Sequence, residues 1–142
     1  MGRKFMFKWK ENFSVNVKKL DEQHKEIFNI GNFVYDLISM KDDIDRFDEI
    51  MQALNKLRNY AKYHFETEEK LMLEHGYPKY EEHKHQHDSF IAKINSLDED
   101  AIDEDQRKVG LDLIMFIANW IEQHILRTDM EYKQFFNERG IY

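Results

Sequence analysis

From about Val17 to Met40 apolar residues recur every three or four positions, at Leu20, Ile27, Phe28, Gly31, Val34, Tyr35 and Ile38. That spacing is the buried stripe of an amphipathic helix. A second stripe, from about Ile44 to Glu74, reads Phe47, Ile50, Leu54, Leu57, Ala61, His64, Glu68 and Leu71, with Asp42 and Asp43 placed ahead of it as capping side chains. Gly76 suits a left-handed cap at its end, and Pro78 forbids immediate continuation. A third helix, about Pro78 to Leu97, turns Tyr80, His83, His87, Phe90, Ile91 and Ile94 inward. The fourth buries Val109, Leu113, Phe116, Ile117, Trp120, Ile121 and His124, and the pattern resumes through Tyr132, Phe135 and Phe136 in a short final helix.

Two segments depart from helical periodicity. Residues 1 to about 17 carry Phe5, Phe7, Trp9, Phe13 and Val15 at alternate positions, which in isolation suggests a strand, yet no second strand is available to pair with it. It is read as an extended arm laid over the helices, with Trp9 and Phe13 buried. The acidic run from Asp98 to Asp105 is read as a solvated loop that also supplies negative charge to the N-terminus of the fourth helix. The expected architecture is all-α: an up-down-up-down four-helix bundle over residues 18–127, with the arm at 1–17 and a C-terminal helix at 128–142, forming one domain across 1–142.

Composition narrows the partners. The formal charge of −7 argues against nucleic acid as a partner, and charges interrupt every apolar run near the N-terminus, so membrane insertion is not expected and the cytoplasm is the expected compartment. Cysteine is absent, which excludes thiolate ligands, a cysteine nucleophile and disulfides.

The chemistry lies where polar residues interrupt the apolar stripes. His24, His64, Glu68, His83, His87 and His124 occupy positions that the helical pattern reserves for core residues. An imidazole buried without a partner costs on the order of 1–3 kcal/mol, and an unpaired carboxylate costs more, so such a set persists only if its members satisfy one another. A metal centre is the simplest common partner, because neutral imidazole and ionised carboxylate are both ligands. His64 and Glu68 are one helical turn apart, as are His83 and His87, so each pair spans about 6 Å of bundle length and suits two metals rather than one. Asp129 follows His124 by five residues, about 140° away on a straight helix. Either both flank the metals from an off-centre helix, or the helix loosens, or Asp129 is a surface residue. His85 points away from His83 and His87, and His75 lies about 16 Å along the helix from His64, so both are assigned to the surface.

With these residues in hand the sequence resembles the hemerythrin family, most closely its bacterial single-domain members. The resemblance is carried by Trp9 with SVNV at 14–17, DEQHKEIF around His24, HFETEE from His64, HKHQHDSF from His83 to Phe90, and WIEQHILRTD from Trp120 to Asp129. It implies two iron ions per chain with a bridging oxo or hydroxo group. His83, His87 and His124 would hold one iron and His24 and His64 the other, with Glu68 and Asp129 bridging both. On that assignment Asp129 becomes a ligand, and the two-histidine iron keeps an open position. Ile121, where the family commonly has leucine, would line the dioxygen pocket, with Phe65, Phe90, Trp120 and Tyr132 around it. The implied function is reversible dioxygen binding for storage, delivery or sensing. A di-iron peroxidase, oxidase or nitric-oxide-handling enzyme is the competing class, and iron storage a weaker one.

Overall fold

Each of the long apolar stripes forms a helix in a computed structural model that describes residues 7–40, 44–96 and 99–142. The elements are a 3-10 turn at Glu11–Phe13, α1 (Lys18–Ser39), α2 (Phe47–His75), α3 (Tyr80–Asn95), α4 (Glu99–Glu104), α5 (Gln106–Gln123), a π-helical segment (His124–Asp129) and α6 (Met130–Glu138). The architecture is all-α, an up-down-up-down four-helix bundle in which α1 packs on α2 and α5, and α2 on α3. Phe5, the expected capping residues Asp42 and Asp43, and Leu97 with Asp98 lie outside the described residues.

Local chemistry accounts for the helix ends. Asp45 Oδ1 accepts from the Phe47 backbone N–H at 2.9 Å, doing at α2 what was expected of the two preceding aspartates. Gly76 stops α2 in the left-handed region at φ 70°, where a side chain would be strained. Asp105 caps α5 by accepting from Lys108 N–H at 3.2 Å, so the negative charge expected there is supplied by one residue of the acidic run.

Three expectations are corrected. The acidic run is not a loop: residues 99–104 form α4, because Ile102 buries completely against the core and gives the segment an apolar anchor. In the arm, Phe7 and Phe13 are buried, whereas Trp9 is only half-buried, its ring tilted against Phe13 at 5.7 Å and Phe28 at 5.8 Å between centres. Phe7 takes the deeper place because Gly31 leaves a slot that a Cβ would fill, and because Asn32 clamps the Phe7 backbone, accepting from its N–H at 2.9 Å and donating to its carbonyl at 2.8 Å. On α5, Gly110, Ile114, Ile117 and Ile121 form the fully inward line, and Phe116 is exposed under the Lys93 ammonium, 5.6 Å from its ring.

The continuous helix Gln106–Glu138 is long and apolar enough to cross a membrane by length and composition. In the bundle, its apolar line of Ile114, Ile117, Ile121 and Ile125 is core. The arm and the C-terminus are tied together at one end. Ser14 Oγ and the Val15 N–H donate to Asp21 at 2.5 and 2.8 Å, and Asn16 and Asn137 exchange hydrogen bonds at 2.9 and 3.1 Å. That end encloses the second apolar cluster, which includes Leu20, Met72, Tyr132 and Phe136.

Candidate metal centre

All four bundle helices send a histidine to one buried place. His24 comes from α1, His64 and Glu68 from α2, His83 and His87 from α3, and His124 and Asp129 from the π-helical segment; each is 5% exposed or less. The π-helical turn resolves the phase problem at Asp129. Bonding to the fifth residue instead of the fourth widens the turn, so residues five apart share a face. Asp129 is thereby brought beneath His124, with Oδ1 3.1 Å from His124 Nε2.

The donor atoms fall into two groups, each within 4.8 Å: His83, His87, His124 and Asp129, then His24, His64, Glu68 and Asp129. Each carboxylate faces both. Asp129 Oδ2 lies 3.1 Å from His24 Nε2, while Oδ1 lies 2.9 Å from His83 Nε2. Glu68 Oε1 contacts His64 Nε2 and Oε2 lies 3.5 Å from His83 Nε2.

These contacts are not a closed hydrogen-bond network. Both oxygens of Glu68 and of Asp129, both ring nitrogens of His24 and Nε2 of His83 are buried without a hydrogen-bond partner. Elsewhere the tautomers follow from the outer partners. His64 Nδ1–H donates to Gln23 Oε1 at 2.7 Å, His87 Nδ1–H to Glu69 Oε2 at 2.8 Å, and His124 Nδ1–H to Gln86 Oε1 at 2.9 Å. With those protons on Nδ1, the Nε2 lone pairs of His87 and His124 face each other at 3.0 Å, and that of His64 faces Glu68. Acceptors aimed at acceptors inside a protein need a cation between them, and this donor set fits two.

Electrostatics agree. Burial disfavours charge on His24 and His83, but the carboxylates of Asp129 and Glu68 outweigh it and push them up to about 9 and about 10. Burial pushes His64 and His87 down, which keeps them neutral. Burial also works against ionised Glu68 and Asp129, yet the surrounding imidazoles hold both below the usual carboxylate range. Without metal, two imidazolium protons offset the two carboxylates that dications would otherwise balance.

A small cavity of about 10 Å³ touches this cluster, bounded by His24, His64, His124 and Asp129 on one side and by Ile27, Ala61, Phe65, Trp120, Ile121 and Ile125 on the other. Its volume is about that of one water-sized sphere. Phe65 stacks on His87 at 3.9 Å between ring centres, Trp120 stacks on His124 at 4.6 Å, and Phe90 lies against both aromatics. Tyr132 does not reach the cavity; it stacks on His83 at 5.6 Å from the opposite end, and burial beside Asp129 and Glu68 pushes its phenol up. His75 and His85 are exposed.

Sequence reading passed over Gln23, Glu69 and Gln86, the three outer partners. Their only signal is position: each directly adjoins a core-facing polar residue, in QH, EE and QH, and reaches across to a histidine on a neighbouring helix.

The fold and this donor set define a helical-bundle protein built to hold a pair of metal ions. Residues 15–136 match the family model described as the hemerythrin HHE cation binding domain. The chain is 39% identical over 127 residues to bacteriohemerythrin of Clostridium acetobutylicum, covering 89% of this chain and 98% of that one. It is 32% identical to myohemerythrin of Sipunculus nudus, covering 88% and 89%. Among solved structures it is similar to wild-type hemerythrin, with a TM-score of 0.76, 29% identity and coverage of 89% and 95%. The chain belongs to the hemerythrin family.

Proposed function

We infer that the protein binds dioxygen reversibly at a non-haem di-iron centre, as an oxygen-binding protein rather than an enzyme. His83, His87 and His124 would hold one iron, His24 and His64 the other, and Glu68 and Asp129 would bridge them. Two iron ions joined by an oxo or hydroxo group supply a reversible two-electron redox site for dioxygen. The remaining work belongs to the protein. The bridging carboxylates and five imidazoles set the charge of the centre, with more neutral donors than the carboxylate-rich di-iron sites of other bundles. That balance favours the ferrous pair and release of the ligand. Ile121, Phe65 and Trp120 keep the cavity beside His24 and His64 small and apolar, which limits entry of water and of larger reductants.

The observation that carries this reading is the lining of that cavity. Apart from the proposed ligands themselves, the described residues that line it are aliphatic or aromatic, Ile27, Ala61, Phe65, Trp120, Ile121 and Ile125, with no acid, base or charged group among them. An enzyme acting on a larger substrate would need such groups, whereas one acting on peroxide or nitric oxide would not, so the test below separates the two. The test is metal analysis followed by absorption spectroscopy of the ferrous protein under cycles of dioxygen and inert gas. Two irons per chain and an absorption that appears and disappears over repeated cycles are expected; irreversible oxidation with turnover of peroxide or a reductant would establish the enzyme instead.

A further inference from the structure

The three outer hydrogen bonds to the histidines are alike in geometry but not in charge. His64 and His124 donate to the neutral amides of Gln23 and Gln86, at 2.7 and 2.9 Å, and both amide orientations are supported by a threonine, Thr67 for Gln23 at 3.5 Å and Thr128 for Gln86 at 2.8 Å. His87 alone of these three donates to a carboxylate, Glu69 Oε2 at 2.8 Å. The Glu69 side chain is 15% exposed and, with Lys62 and Lys84, lines a groove of about 390 Å³ between α2 and α3. The Lys84 ammonium pairs with Asp88 at 2.8 Å beside the same groove. A carboxylate on Nδ1–H pulls the proton toward itself and makes Nε2 a stronger donor, whereas an amide does this far less. The charge therefore falls on one half of the site: His87 belongs to the three-histidine group, while in the two-histidine group, among the described residues, the Gln23 amide backs His64 and His24 Nδ1 has no hydrogen-bond partner.

We propose that Glu69 is a positioning residue that fixes the His87 tautomer and, through its negative charge, lowers the reduction potential of the metal held by His83, His87 and His124, biasing ferric charge toward that half of the centre. This rests on the di-iron reading above. Gln at position 69 preserves an acceptor of the same size and removes the charge, so Glu69→Gln separates charge from geometry. Gln86→Glu makes the reverse change behind His124, a histidine of the same group.

The experiment measures three things on the full chain: iron stoichiometry, the midpoint potential of the iron-loaded protein by spectroelectrochemistry, and, in zinc-loaded protein, zinc affinity with the NMR signal of the His87 Nδ1–H. Glu69→Gln should load two irons, shift the midpoint potential upward, weaken zinc binding roughly tenfold and retain the His87 Nδ1–H signal at a changed shift. Gln86→Glu should shift the potential downward. A residue with a merely structural role would alter thermal stability and leave the potential where it was. Wild-type and Glu69→Gln proteins that each carry two irons at equal potential overturn this inference alone. A wild-type chain that takes up no iron overturns the di-iron reading and this inference with it.

Discussion

At the scale of single residues, the polar atoms of the core are arranged for something other than each other. A histidine inside a protein normally ends its hydrogen bonds on a carbonyl, hydroxyl or water. Here His87 and His124 direct lone pairs at one another and Glu68 turns both oxygens toward imidazoles. Removing one donor should therefore cost metal before it costs fold. His124→Ala should lose the two-iron stoichiometry while His85→Ala keeps it, as read by metal analysis; equal stoichiometry in the two variants would break the ligand assignment. Ile121 makes no polar contact and lines the cavity, so Ile121→Ala should leave iron content unchanged and widen access to the centre. Autoxidation of the oxygenated protein should become several-fold faster, measured as the decay of its absorption in air. Truncating a buried isoleucine also costs about 2–5 kcal/mol, which a lower melting temperature will report separately.

At the scale of elements, the decisive one is the π-helical turn at His124–Asp129. Helical periodicity places Asp129 off the inner face, and the resemblance assigns it as a ligand regardless; the widened turn is how the chain reconciles the two. Apolar spacing reports which face of a regular helix is buried, but it carries no information about whether one turn bonds to the fourth or the fifth residue. The same limit explains α4. A run of Asp and Glu looks solvated by composition, and it is one residue, Ile102, docked in a core built by distant segments, that gives the run a helix to belong to. By contrast the end of α2 was legible, because Gly76 before Pro78 is a local signal with a local cause. Gly76→Ala forces a side chain into φ 70°, at a cost of about 1–2 kcal/mol. Thermal denaturation should show the melting temperature falling by roughly 3–6 °C with iron content intact.

At the scale of the whole molecule, metal and fold are linked through charge. In the metal-free protein His24 and His83, raised to about 9 and about 10, are protonated beside Glu68 and Asp129. Because their folded values lie above the unfolded one of about 6.5, they contribute stability that is complete below that value and is lost progressively from there up to about 9 and about 10. His64 and His87 are depressed, so their contribution fades as pH falls below about 6.5, and the depressed carboxylates of Glu68 and Asp129 add a further loss in acid. Chelator-treated protein should therefore melt highest near pH 6.5 and lose stability steadily from there toward pH 9 to 10. The metal-loaded protein should melt higher throughout, since a ligand that binds only the folded state stabilises it, and should not share the alkaline decline. Metal uptake must displace the two imidazolium protons, so apparent affinity should rise with pH up to about 10.

The pattern of residues along the chain carried the helices, their inward faces and six of the buried polar residues, because a period near 3.6 is a property of each helix alone and a polar residue in an apolar stripe is visible without its neighbours. The motifs around those residues then carried the family, and with it the expected pair of irons. Contacts between segments settled the remainder: Phe7 in the slot over Gly31 in place of Trp9, Ile102 drawing an acidic run into a helix, Asp129 turned inward by one widened turn, and Gln23, Glu69 and Gln86 behind the histidines of other helices. Each of these depends on which atoms from distant parts of the chain meet in space, and a one-dimensional period has no term for that meeting.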